Sequence, residues 1–165
     1  MTFGLFGCSK PPEDKLAIIK GQAYLIPWQD KPKVTPISWR ENEPHVRIHN
    51  KKLPGGQSIS LLFDPRNYSI EAAANIPNLF GFSGRNEVEL REEFIEIPSS
   101  DFSIFCERRS DGLPMPAPRS CGFRVQDGDV SWSVDFSSND IDYAPMMKEE
   151  AARILKSYRE AANAK

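Results

Sequence analysis

Between residues 122 and 136 the chain alternates apolar and polar side chains on either side of Asp127-Gly128-Asp129. No other stretch narrows the choice of fold as much. Val130, Trp132, Val134 and Phe136 fall on one face of an extended chain, and Ser131, Ser133 and Asp135 on the other. A strict period of two describes a strand with one buried and one wet face. Asp-Gly tolerates the positive φ of a tight hairpin turn, so Gly122–Gln126 and Val130–Phe136 are predicted to pair antiparallel. Shorter runs of the same kind recur upstream. Leu16–Lys20 and Gln22–Ile26 flank Gly21, His45–His49 alternates, and Ser58–Phe63 follows the turn Leu53–Gln57. Val34–Trp39 is interrupted by Pro36, which confines it to an edge. Glu87–Leu90 and Phe94–Ile97 are further strand material, and Asp101–Cys106 leads into another run. With 14 prolines and 10 glycines in 165 residues, a helical bundle is excluded and short strands with many turns are favoured.

The last segment reads as helix. Ser137-Ser138-Asn139-Asp140 offers capping oxygens and Pro145 suits a first turn. Glu149 and Glu150 sit early and Lys156 and Arg159 late, as the helix dipole prefers. Met147, Ala151, Ile154, Tyr158 and Ala161 recur at spacings of three and four, giving one apolar stripe. Roughly eight strands followed by one long helix make an α+β fold, with a mainly antiparallel sheet and the C-terminal helix packed on it.

Charge and motif content exclude several functions. Lys plus Arg number 21 against 23 Asp plus Glu, a net charge of -2, which argues against a nucleic-acid binder. No stretch approaches the ~20 apolar residues of a membrane-spanning helix. His45 and His49 are the two histidines. On a strand they lie about 13 Å apart, too far to share an ion, so no metal site is expected. Gly81-Phe82-Ser83-Gly84 places its second glycine one position too early for a nucleophile elbow. Gly55-Gly56 precedes no helix and so cradles no phosphate. Glu87, Glu89, Glu92, Glu93 and Glu96 alternate with apolar residues as the solvated face of a strand does. Trp28, Trp39 and Trp132 are assigned to core and edge packing. No catalytic residues and no cofactor are expected.

The three cysteines carry more information. Leu5-Phe6-Gly7-Cys8 resembles the lipobox of bacterial envelope lipoproteins, in which a branched apolar residue, a tolerant position and a small residue precede the lipidated cysteine. The run Ser9-Lys10-Pro11-Pro12-Glu13-Asp14-Lys15 is similar to the polar tether of that class. The resemblance implies lipidation at Cys8, a periplasmic location and membrane contact only through the anchor. Residues 1–15 then form remnant signal and tether, and residues 16–165 a single globular domain. Cys106 and Cys121 stand 15 positions apart at the ends of two strand-like runs. The intervening loop holds three prolines and a glycine. A disulfide there staples the loop's base and adds about 3 kcal/mol in the chain-entropy model. The alternative is a pair of buried thiols in a reducing compartment.

Two connections stand out as functional. Asn67–Asn86 is long for a compact domain and carries Leu79, Phe80 and Phe82 beside glycines, with Arg85 at the rim. Arg108–Arg119, with Arg108, Arg109 and Met115, is the second. Aromatics and arginines of this kind anchor protein interfaces. A tethered, stapled domain with presentable loops looks like an immunity protein that blocks the active site of a toxin delivered between bacteria. An adaptor of an envelope machine and a hydrolase with an unrecognised site are the alternatives.

Overall fold

The computed structural model describes residues 11–36, 42–65, 94–98, 102–107 and 119–165, with the backbone alone at 94–98 and 107. Nine strands lie within them: β1 (Lys15–Ile19), β2 (Gln22–Ile26), β3 (Lys33–Thr35), β4 (His45–Lys52), β5 (Ser58–Phe63), β6 (Phe94–Pro98), β7 (Ser103–Glu107), β8 (Ser120–Asp127) and β9 (Val130–Ser137). One long helix follows, α1 (Ala144–Asn163). β1 and β2 form a two-stranded sheet, and the other seven strands run in the order β3-β4-β5-β9-β8-β7-β6. Every neighbouring pair is antiparallel. The expected α+β architecture is the one observed. Two meanders, β3–β5 and β6–β9, meet where β5 pairs with β9. The apolar-rich alternating strand therefore lies at the centre of the sheet, where both edges are covered.

Register decides which residues enter the core. Phe123 pairs with Val134, Val125 with Trp132, Leu61 with Val134 and Ile48 with Leu61. All lie on one face and all are at most 2% exposed. The β1–β2 hairpin and α1 cover that face. Ala17, Ile19, Tyr24 and Ile26 come from the hairpin, and Met147, Ala151, Ile154, Leu155 and Tyr158 from the helix. The Trp132 ring sits at the centre, met edge-on by Tyr24 at 5.2 Å and tilted by Phe63 at 6.0 Å. A side chain of this size, fully withdrawn from water, contributes on the order of 2–3 kcal/mol.

Several local features depart from the sequence reading. The stripe on α1 ends at Tyr158: Leu155 is buried and Ala161 is exposed. Ser137 does act as a cap, its Oγ accepting the amide of Asn139 at 3.3 Å, but it caps the 3-10 turns of Ser138–Tyr143 that precede α1. The polar face of β9 is not uniformly wet, since Ser133 is only 8% exposed. Its cross-strand neighbours Leu62 and Arg124 are longer and overhang it.

The late hairpin turns on Gly128-Asp129, with Asp127 paired to Val130 as the last strand residue. Gly128 has φ +61, and Asp129 is not among the positive-φ residues. That is the II′ pattern, with glycine at the first central position. A Cβ on Gly128 would also lie 2.7 Å from Gln22 Oε1. The one-residue shift has a cause: it turns the Asp127 side chain inward. Its Oδ2 accepts from Tyr24 Oη and from Gln22 Nε2, both at 2.8 Å, and its Oδ1 accepts from Arg159 Nη2 at 3.0 Å. Tyr158 makes the corresponding contact at Asp30, donating to Oδ2 at 2.5 Å while Lys51 pairs with Oδ1. Two Tyr–Asp–cation groups thus tie α1 to β2, to the β8–β9 turn and to β4. Burial pushes both phenols well above their ordinary value of 10.0, so they are held as neutral donors.

Candidate functional site

The sheet brings several features to one of its ends. Cys106 and Cys121 are directly opposed across β7 and β8 and are joined by a disulfide, with Cα atoms 4.0 Å apart. Close approach of this kind is typical of a non-hydrogen-bonded antiparallel pair. Both cysteines are completely buried on the core face. The bridge therefore closes the base of the segment between Glu107 and Arg119. The chain re-enters the sheet at Arg119. Arg119 and Ser138 exchange hydrogen bonds, with Ser138 N donating to Arg119 O at 2.9 Å and Arg119 N donating to Ser138 Oγ at 3.1 Å. Phe94, where the chain returns from the long β5–β6 connection, pairs with Glu107 at this same end. Phe63, where that connection departs, belongs to the opposite end.

Of the candidate residues, the structure describes Cys106 and Cys121 and brings them together. Cys8, Leu79, Phe80, Phe82, Arg85, Arg108, Arg109 and Met115 lie outside the described residues. So do Trp39 and the Gly81–Gly84 motif. Trp28 is 44% exposed and Trp132 is in the core. His45 and His49 both stand on the outer face of β4. His45 Nδ1 lies 3.1 Å from Asp64 Oδ2, which ties the start of β4 to the end of β5. Among the described residues no group of three or more His, Cys, Asp or Glu is arranged to hold a metal ion. No helix among them is long and apolar enough to cross a membrane.

The outer face at the loop end carries residues that the sequence reading passed over. Lys52 pairs with Ser58 across β4 and β5, and Ser120 pairs with Ser137 across β8 and β9. Ile59 opposite Phe136 brings Ser58 next to Ser137. The result is one transverse row, Lys52–Ser58–Ser137–Ser120, flanked by Arg119. Behind it stand Ser60, Asp135 and Gly122, again neighbours across three strands. All of these except the buried Gly122 line an open groove of about 440 Å³, with Asp140 at its border. Neither Lys52 nor Arg119 forms an ion pair with a described residue. Ser60 Oγ accepts the Asn50 amide at 3.3 Å and Ser137 Oγ accepts that of Asn139, so both hydroxyl protons remain to donate outward. The signal for this row was present in the alternation of β9 and of Ser58–Phe63, but the register was needed to align it.

No family model, curated protein or solved structure matches this chain.

Proposed function

We propose that the chain is a lipoprotein of the bacterial envelope that works as a protein-binding module, most specifically an immunity protein that occludes a toxin's active site. The observation that carries this reading is the Cys106–Cys121 disulfide, closed across adjacent strands at the base of the Arg108–Arg119 segment. Disulfides persist in oxidising compartments, and the periplasm is one of them. The lipobox-like Leu5-Phe6-Gly7-Cys8 supplies an anchor for the same compartment. A rigid root beneath a Pro-rich segment lowers the ordering cost of presenting Arg108, Arg109 and Met115 to a partner. The chain rejoins the sheet at that end with Phe94, and in this reading Leu79, Phe80, Phe82 and Arg85 provide the aromatic and cationic anchors. The mechanism is steric: the loops fill the toxin's cleft and no chemistry is performed.

Affinity capture from envelope extracts, using the tagged full chain, tests the reading. A specific partner is expected that Phe80→Asp with Phe82→Asp, or Arg108→Glu with Arg109→Glu, fails to retain. Unchanged retention by both double variants removes these loops from the interface.

A further inference from the structure

The groove on the outer face differs in chemistry from an apolar protein-docking cleft. From the polar row we infer that it is a binding site for an acidic saccharide: a sugar bearing carboxylate or phosphate groups, lying across β4, β5, β9 and β8. Three properties of the row lead there. The first is its charge. Lys52 is exposed and Arg119 half-buried, at opposite flanks, and neither is neutralised by a described carboxylate. Three strand spacings separate them at the backbone, about 14 Å, so two anionic groups on one extended ligand suit them better than one compact ion.

The second is the floor. Ser58, Ser137 and Ser120 stand side by side, about 5 Å apart at Cβ. With Ser60 behind them, at least two of these hydroxyls already accept a backbone amide and so face outward as donors. A flat bed of donors between two cations fits a ligand whose oxygens are distributed along its length.

The third is the acids. Asp135 and Asp140 line the same groove. Asp140 repels a bare inorganic anion, but it accepts hydrogen bonds from ring hydroxyls. A polyhydroxylated anion satisfies donors and acceptors together. Among the described residues the groove offers no apolar anchor, because Phe136, which also lines it, is only 5% exposed. Its volume of about 440 Å³ lies within the usual range of ligand sites. This inference stands apart from export and from the loops, since every residue it uses lies on the strands or the Arg119 and Asp140 borders.

Calorimetric or NMR titration of the full oxidised chain tests it with four probes: digalacturonate, fructose 1,6-bisphosphate, maltose and inorganic phosphate. Digalacturonate, fructose 1,6-bisphosphate or both are expected to bind, with amide shifts at Ser58, Ser120 and Ser137. Maltose and inorganic phosphate are expected to bind about tenfold more weakly or not at all. Lys52→Ala and Arg119→Ala, checked for native circular dichroism, should each weaken the acidic sugar by about tenfold. Absence of binding by both acidic sugars at millimolar concentration overturns the inference. So does maltose or inorganic phosphate binding as tightly as they do, or affinity that survives the Lys52→Ala/Arg119→Ala double substitution.

Discussion

Reduction of the Cys106–Cys121 bridge perturbs the unfolded chain far more than the folded one, and its effect can be worked out from the register. The two cysteines are 15 positions apart and directly opposed across β7 and β8. Their sulfurs lie in the closed core, so the reduced thiols keep the same neighbours while the chain stays folded. What changes is the closure entropy of the loop. For a loop of this length the chain-entropy model gives about 3 kcal/mol. That is a large share of the 5–15 kcal/mol typical of a domain. Urea denaturation of the full chain, with and without reductant, reads it. With a slope of about 1–3 kcal/mol/M, the midpoint should fall by about 1–3 M on reduction. The slope should also rise, because the unlinked unfolded chain exposes more surface. Cys106→Ala/Cys121→Ala, insensitive to reductant, should match the reduced wild type to within about 1 kcal/mol, the buried sulfur contacts accounting for the difference. A midpoint that does not move on reduction would refute the reasoning, since the bridge would then not constrain the unfolded state.

Asp127→Ala removes the acceptor shared by Tyr24, Gln22 and Arg159, and the buried Tyr24 hydroxyl, which still accepts from Gln22 Nε2 at 2.7 Å, loses the group it donates to. It should destabilise by about 2–3 kcal/mol in urea denaturation, less than for a fully buried ion pair because the Arg159 side chain is 37% exposed. Leu155→Ala, at a fully buried position, should cost about 3 kcal/mol, whereas Ala161→Ser on the exposed flank should be neutral within about 0.5 kcal/mol. Tyr24 and Tyr158 have folded-state pKa values raised by burial, so the folded protein holds their protons more tightly than the unfolded chain does. Their contribution is fully present below the ordinary tyrosine value, and stability should fall as the pH rises above about 10. Tyr158→Phe should flatten this alkaline limb, which stability curves between pH 8 and 11 would show.

Much of the fold was legible because its signals are local. The β8–β9 hairpin and Ser58–Phe63 announce themselves by strict alternation, and α1 by its Met147–Tyr158 stripe. The misses are long-range. The local pattern makes Asp-Gly the turn pair, because nothing near Asp127 reveals that Tyr24 and Arg159, at least 32 positions away, need its carboxylate inside. Alternation places Ser133 on the wet face, yet it is only 8% exposed between its register partners Leu62 and Arg124 on other strands. The helical spacing omits Leu155 and runs on to Ala161, because which part of the stripe is covered depends on the elements packed against it and not on the helix pattern. The disulfide was legible from spacing and flanking strands. The Lys52–Ser58–Ser137–Ser120 row was not: its members come from four strands, and only the registers of β4–β5, β5–β9 and β8–β9 set them side by side.

The intact mass of the protein recovered from the envelope fraction of its own cells tests the central claim most directly. The account predicts a species beginning at Cys8, carrying the mass of a lipid modification, that gains two hydrogens on treatment with reductant. An unlipidated chain with three free thiols, recovered from the cytosol, would contradict it.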